Sequence, residues 1–408
     1  MISTREAVGQ RSETVRRSNL SAIVRELHLR GPLSRSELVA HTGLTRSAIR
    51  GLIGELVAGG LVTETPSEPA GTPGRPSPLV HPDPRSAVVI ALEANVDSLA
   101  VARVGFGGIV DRLVRVDRPR AHVTLPAIVA DLVELARPLL PHDAHLVGIG
   151  VAVAGVVRRT DGMVRLSPNL GWRDEPFGER LARALPSSVP VSVANEADLG
   201  GLAEHRRGAA IGAADVVYVT GEVGVGGNVI MDGKPLVGSA GYAGEIGHMA
   251  VNPVGTACGC GSFGCWETEI GERALLMRAG RPPGGGRQAV DGLIAAAVAG
   301  DADALASLEH VGLWLGIGLA SLVNVFNPTL VVLGGIFERI HPHVAATVEA
   351  VLDRRALGAS RDLIRVSPGS LGVDGPLIGA AELAFEPMLV DPAARLTAVR
   401  APPTLASA

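Results

Sequence analysis

Near the N-terminus the apolar positions recur at helical spacing. Leu20, Ile23, Val24 and Leu27 share one face of a helix that Gly31-Pro32 must end. Ser34 and Glu37 are spaced as a capping box, which predicts a second helix through Leu38 and Val39. Thr42-Gly43-Leu44 makes a short turn. Thr45 then caps a third helix that buries Ile49, Leu52, Ile53 and Leu56. After Gly59-Gly60, Leu61-Val62-Thr63 and Leu79-Val80-His81 are placed to pair as a two-stranded wing. Between them, Pro66 to Pro78 is too rich in Pro and Gly to hold a helix or a central strand. From Ser86 onward strand and helix patterns alternate, as in an α/β body. Beyond about Pro387 the chain is Pro/Ala-rich without a period, which predicts a frayed end.

Helix, glycine turn and helix is the helix-turn-helix layout, whose second helix enters the major groove of DNA. The outward face of the third helix carries Arg46, Ser47 and Arg50, with Thr45 at its start. Arginines four apart project from one side and can pair with guanine or hold a phosphate. The wing tip, Gly74-Arg75-Pro76, would offer Arg75 to a narrow minor groove.

At 408 residues the chain has room for two or three domains. Its net charge of −4 gives no global nucleic-acid signature, so local charge decides. The basic residues are almost all Arg, concentrated in the first fifty positions. The N-terminus is polar, with no apolar signal-peptide core, and no uninterrupted apolar run approaches the roughly 20 residues that span a bilayer. A cytoplasmic protein without a membrane partner is expected.

All three cysteines lie in one segment, Cys258-Gly-Cys260-Gly-Ser-Phe-Gly-Cys265, ten residues after His248. Three thiols and an imidazole suit a closed tetrahedral site for structural Zn2+, with His248, Cys258, Cys260 and Cys265 as ligands. Thiols free to ligate metal also fit a reducing compartment. Two carboxylates, Glu245 and Glu267, flank the set without being needed by the metal.

The runs Glu245-Ile-Gly-His248 and C-G-C-G-x-x-G-C-x-E resemble the signature of the ROK family (repressors, open reading frames and kinases). The resemblance implies an actin-like sugar-kinase body of two α/β lobes with a ligand cleft between them. It also implies sugar contacts from Asn195, Glu196, Glu245, His248 and Glu267, and from Asn169 in Pro168-Asn169-Leu-Gly-Trp172. The N-terminal pattern resembles the winged helix-turn-helix of the family's repressor branch, which its free-standing kinases lack.

Kinases of the family carry a phosphate loop D-x-G-G-T-K. Here, after Val88–Leu92, the chain reads Glu93-Ala-Asn95-Val96-Asp97-Ser98. Val96 fills space that a glycine leaves to phosphate, and an ionised Asp97 repels the anion that a Thr hydroxyl would bind. The second loop, G-T-G-x-G-G, reads Glu222-Val223-Gly224-Val225-Gly226-Gly227, altered in the same direction. The catalytic-base position of N-D-A-N is held by Glu196 in Asn195-Glu196-Ala197-Asp198, about one methylene further out. The adenosine-side segment, Asn327-Pro328 to Gly334-Gly335, reads as a buried strand and a tight glycine turn.

The expected fold is α/β: a winged helix-turn-helix over residues 1–82 and a ROK body over 83–390, with lobes near 86–200 and 201–386. A disordered tail over 391–408 is expected to follow. The expected function is a sugar-responsive DNA-binding regulator, a repressor that has lost phosphoryl transfer and works on operator DNA as a homodimer or dimer of dimers. The alternatives are an ATP-dependent sugar kinase with an appended DNA-binding module, and a constitutive DNA-binding protein whose body only dimerises.

Overall fold

The computed structural model describes residues 4–66, 77–120, 123–141, 145–185 and 189–400, with side chains described from 13 to 396. The N-terminal module contains α1 (Thr4–Arg30), β1 (Leu33–Ser34), α2 (Arg35–Thr42), α3 (Arg46–Ala58), β2 (Val62–Thr65) and β3 (Leu79–Pro82). Gly31, at φ +78°, stops α1 in the left-handed conformation that glycine adopts without strain. Ser34 accepts from the Glu37 N–H while the Glu37 carboxylate takes the Ser34 N–H, which completes the capping box. Gly43 ends α2 at φ +70°, and Thr45 caps α3 through the Ala48 N–H. Ile49, Leu52, Ile53 and Leu56 are buried. The wing has three strands rather than two, in the order β1-β3-β2, because Leu33–Ser34 also pairs with β3. Arg75 lies outside the described residues.

The body repeats one sheet topology. The first sheet holds β4 (Val88–Ala94), β5 (Ser98–Gly105), β6 (Ile109–Asp117), β7 (Leu146–Val153) and β11 (Val191–Asn195). The second holds β12 (Val216–Gly221), β13 (Val225–Met231), β14 (Lys234–Pro235), β15 (Leu330–Gly335) and β16 (Arg365–Pro368). In each, three strands meander antiparallel, and two later strands add in parallel beside the first of them. A small third sheet, β8 (Val156–Arg158), β9 (Met163–Ser167) and β10 (Trp172–Glu175), tops the first lobe. Helices α4 (Leu125–Ala136) and α5 (Phe177–Ala184) cover one face of that lobe.

The second lobe is covered by α7 (Trp266–Ile270), α8 (Glu272–Arg278), α9 (Gly286–Val298), α10 (Ala302–Phe326), α11 (Ile336–Arg355) and α12 (Gly358–Arg361). By length and composition α10 could cross a bilayer, but one face of it is core, with Leu308, Val311, Leu315, Leu319 and Val323 buried.

Two helices change sides. The helix after β11, α6 (Glu196–Arg207), packs mainly on β13 and β12 of the second sheet. The helix after β16, α13 (Gly375–Val390), packs on β7 and β4 of the first. The expected lobe limits of 86–200 and 201–386 are therefore corrected. Residues 375–390 belong with the first lobe, and α6 leaves it after Asn195. At Gly379 the two helices meet backbone to backbone. A Cβ on Gly379 would lie 1.9 Å from the Leu199 carbonyl oxygen, and one on Gly150 of β7 1.8 Å from that of Ala380.

The expected tail is also corrected. Residues Pro392–Arg400 form α14, which packs on α1 and buries Ala393 and Leu396 in a core shared with the N-terminal module. Residues 401–408 lie outside the described residues. That one core runs from Leu20, Ile53 and Val80 through Val89 and Phe106 to Phe385 and Leu389, so the module is docked on the body. Leu396 packs against Gly59, where any Cβ would collide with it. Leu396→Ala is expected to lower stability by about 2 kcal/mol, read as a reduced denaturant midpoint.

Candidate ligand cleft, metal centre and nucleic-acid face

A cleft of about 1340 Å³ opens between the lobes. Strand ends and helix starts from both halves converge on it, as strand connectivity in open α/β sheets dictates. Asn169, Asn195, Glu196, Glu245, His248 and Glu267 all line it.

Asn195 is the N-cap of α6. Its Oδ1 accepts from the N–H groups of Ala197 (2.7 Å) and Asp198 (3.3 Å), and its Nδ2 donates to the Gly155 carbonyl at 2.8 Å. Its acceptor is thus committed to the fold, and one amide hydrogen remains for a ligand. Glu196 opens the helix, and its Oε2 is buried without a hydrogen-bond partner among the described residues. Burial, reinforced by the carboxylates of Glu93, Glu222 and Asp97, pushes the Glu196 carboxyl up to about 8. Two residues on, Asp198 accepts from Arg159 and Asn228, each at 3.0 Å. Across the cleft, burial raises the Glu245 carboxyl as well.

The metal-ligand candidates fold together as a tight hairpin. Cys258 N–H donates to Ser262 O at 2.8 Å, and glycines at φ +95° (Gly261) and +64° (Gly264) turn the chain. A Cβ on Gly264 would sit 1.7 Å from the Asn252 carbonyl oxygen, so only glycine fits there. The His248 ring nitrogen and the three sulfurs all lie within 4.8 Å of one another. Cys258 Sγ is 3.7 Å from His248 Nδ1, and Cys260 Sγ is 3.7 Å from Cys265 Sγ. Sulfurs about 2.3 Å from a tetrahedral ion are about 3.8 Å apart, so the cluster has the size a metal such as zinc needs. With Nδ1 turned to the sulfurs, His248 Nε2 faces Glu245, 4.0 Å away. Glu267 Oε1 lies 2.8 Å from Cys258 Sγ. Glu267 and Asn169 face each other over Gly224.

Glu93, Asp97 and Glu222 are tied by pairing that the sequence reading missed. Glu93 is buried and binds Arg115 at 2.9 Å, and Arg115 also reaches Asp374 at 3.1 Å. Asp97 meets Arg120 at 3.2 Å, and the same guanidinium crosses to Glu272 of α8 at 2.7 Å. Glu222 meets Arg287 at 2.9 Å. These partners are separated by between 22 and 259 residues, and no local motif announces them.

On the N-terminal module, Thr45, Arg46, Ser47 and Arg50 are all exposed. The Thr45 hydroxyl is occupied in the cap and lies 3.1 Å from Ser47 Oγ. Arg46 and Arg50 form no ion pair among the described residues, whereas nearby Arg35 is held by both oxygens of Glu64 at 2.6 Å.

The ROK family profile matches residues 89–386. The chain belongs to the ROK family. A xylose repressor of Bacillus spizizenii is 28% identical over 381 residues, 92% of this chain and 97% of that one. A glucokinase of Streptomyces coelicolor is 32% identical over 290 residues, 67% of this chain and 90% of its own. The fold matches a crystal structure of a ROK family transcriptional regulator, a homolog of the E. coli MLC protein, with a TM-score of 0.74. That match is 22% identical and covers 94% of this chain and 98% of the other. The family profile leaves out the first 88 residues, while a repressor alignment spanning 92% of the chain must take in most of them.

The raised Glu196 carboxyl has a measurable consequence. Between the ordinary value of 4.5 and about 8 the folded protein holds a proton that the unfolded chain has released, so stability declines as pH rises through that window. Glu196→Gln removes the decline. Its melting temperature is expected to exceed that of the wild type by more at pH 8.5 than at pH 5; a difference independent of pH would contradict the assignment.

Proposed function

We propose that the protein is a sugar-responsive transcriptional repressor acting in the cytoplasm, whose ROK body binds a sugar or sugar derivative and has lost phosphoryl transfer. One observation carries this reading: a winged module, whose outward Arg46 and Arg50 form no ion pair among the described residues, is docked on a body whose cleft has its phosphate loops filled by carboxylates. Glu93, Asp97 and Glu222 place negative charge where a nucleoside triphosphate would need donors, and their arginine partners are already spent. The sugar side keeps its acceptors. Glu196, Glu245 and Glu267 accept from or share protons with hydroxyls, His248 offers Nε2, and Asn169 and the free Asn195 hydrogen supply donors.

Zn2+ is the metal that best fits the donor set of His248, Cys258, Cys260 and Cys265. Its contribution is structural: it would fix the His248 ring and hold the Glu267 loop against the cleft. On the DNA side, Arg46, Ser47 and Arg50 are the base and phosphate readers, with Thr45 at the helix start and Arg75 at the wing tip. A homodimer, or a dimer of dimers, would set two α3 helices roughly 34 Å apart on a near-palindromic operator.

The xylose repressor similarity favours a pentose or hexose effector. A sugar panel titrated against protein bound to an operator recovered by selection, at fixed salt, is expected to yield one sugar that weakens DNA binding at least tenfold. No response to any sugar would contradict the reading. Coupled ADP-release assays are expected to show no turnover with that sugar. Robust turnover lost on Glu196→Ala would favour the kinase alternative. Removing metal with a chelator is expected to weaken sugar binding at least tenfold, with recovery on adding Zn2+.

A further inference from the structure

Helix α6 touches the cleft at one end and the DNA-binding module at the other. Its twelve residues span about 18 Å. At the N-terminal end, Asn195 caps the helix and Glu196 presents a buried, unpartnered oxygen to the cleft. In the middle, Glu204 accepts the N–H groups of Ser370 (2.8 Å) and Leu371 (2.9 Å), which ties the helix to the loop entering α13.

At the C-terminal end two arginines meet two carboxylates of α13. Arg206 donates to Glu386 at 2.9 Å and to Glu382 at 3.3 Å, and Arg207 Nε donates to Glu382 at 2.8 Å. The same carboxylates hold α1: His28 Nε2 lies 3.3 Å from Glu382, and Arg25 donates to Glu386 at 2.5 Å. Arg207 also touches α1 directly, its Nη1 donating to the Leu29 carbonyl (3.4 Å) as well as to that of Gly107 (3.2 Å) in the turn between β5 and β6. Leu29 is in the last turn of α1, where a carbonyl has no helical donor of its own.

The centre of this junction is closed to solvent, with Arg207 Nη2 buried there without a hydrogen-bond partner among the described residues. His28 and Glu382 are 0% and 1% exposed. The Gly107 N–H donates to His28 Nδ1 at 3.1 Å, so that nitrogen carries a lone pair and Nε2 carries the hydrogen directed at Glu382. Phe106 stacks on the ring at 5.6 Å, and Phe385 packs tilted against it at 4.8 Å. Burial alone would raise the Glu382 carboxyl, but His28, Arg207 and Arg206 outweigh it and hold it down to about 2. Glu382 is held at once by His28, Arg206 and Arg207, so few other arrangements keep it paired. A shift of α6 must therefore break bonds to α1 rather than stretch them.

We propose that α6 carries the state of the cleft to the DNA-binding module, with Arg207 and Glu382 as the coupling pair. This rests on the repressor reading for its ligand and operator, but the junction itself does not. A sugar that engages Glu196 moves the helix start, and Arg207 releases or regrips the end of α1. Arg207 is a positioning residue that contacts neither ligand.

The test uses the full-length protein with the sugar that wild type responds to. Arg207→Ala is expected to bind that sugar, by calorimetry, within twofold of wild type and to retain operator binding. Its loss of operator affinity on adding sugar is expected to shrink at least fivefold, with partial recovery in Arg207→Lys. A full response in folded Arg207→Ala would overturn the proposal. A second arm needs neither sugar nor operator. Amide exchange at residues 25–30 is compared in Glu196→Gln, Arg207→Ala and the double variant. Two independent sites so far apart add, so the proposal expects non-additivity, and additive effects would overturn it. If wild type answers to no sugar while this cycle is non-additive, the repressor reading fails and the coupling stands.

Discussion

The crossing of α6 and α13 is the constraint on which the rest of the molecule depends. Each helix leaves the sheet that ends in it and packs on the other, so neither lobe can be completed without its partner. The contact is backbone on backbone at Gly379 and Leu199, and α13 presses as closely on the first sheet at Gly150. Such packing does not tolerate small displacements, because a dense interior shifts between discrete arrangements rather than deforming smoothly. The cleft opens beside this crossing, and α13 carries the docked N-terminal module on its far side. Ligand site and DNA face are thus joined by rigid elements rather than by a flexible linker.

The cleft gathers carboxylates and answers them with arginines. Glu196 faces the carboxylates of Glu93, Glu222 and Asp97. Each of those three carboxylates has acquired an arginine, and Arg120 and Arg115 reach further, to Glu272 and Asp374. Such partly buried pairs owe little to net attraction, but leaving one partner alone is costly, so they specify the arrangement they sit in.

Local rules made the N-terminal module legible almost residue by residue. The capping box at Ser34, the Thr45 cap and the buried face from Ile49 to Leu56 depend on neighbours within one turn, which a sequence states directly. The Cys/His hairpin was equally legible, because its four candidate ligands and their glycines lie within eighteen residues. Three features were not. The exchange of α6 and α13 follows from packing across the sheets, and no periodicity encodes which sheet a helix covers. The chain end read as frayed because α14 has no strong apolar face of its own and forms by docking Ala393 and Leu396 on α1. The arginine partners of Glu93, Asp97 and Glu222 lie far away in sequence, so the altered loops showed a loss but not what replaced it.

Linkage supplies the most direct measurement of the central claim that cleft and DNA face share one mechanical unit. If sugar weakens operator binding by some factor, operator must weaken sugar binding by the same factor. Sugar affinity should therefore be measured by calorimetry on the free protein and on protein saturated with operator, at identical salt. The account predicts a weaker sugar affinity in the complex, by the factor found in the DNA titration. Equal sugar affinities with and without operator would contradict it.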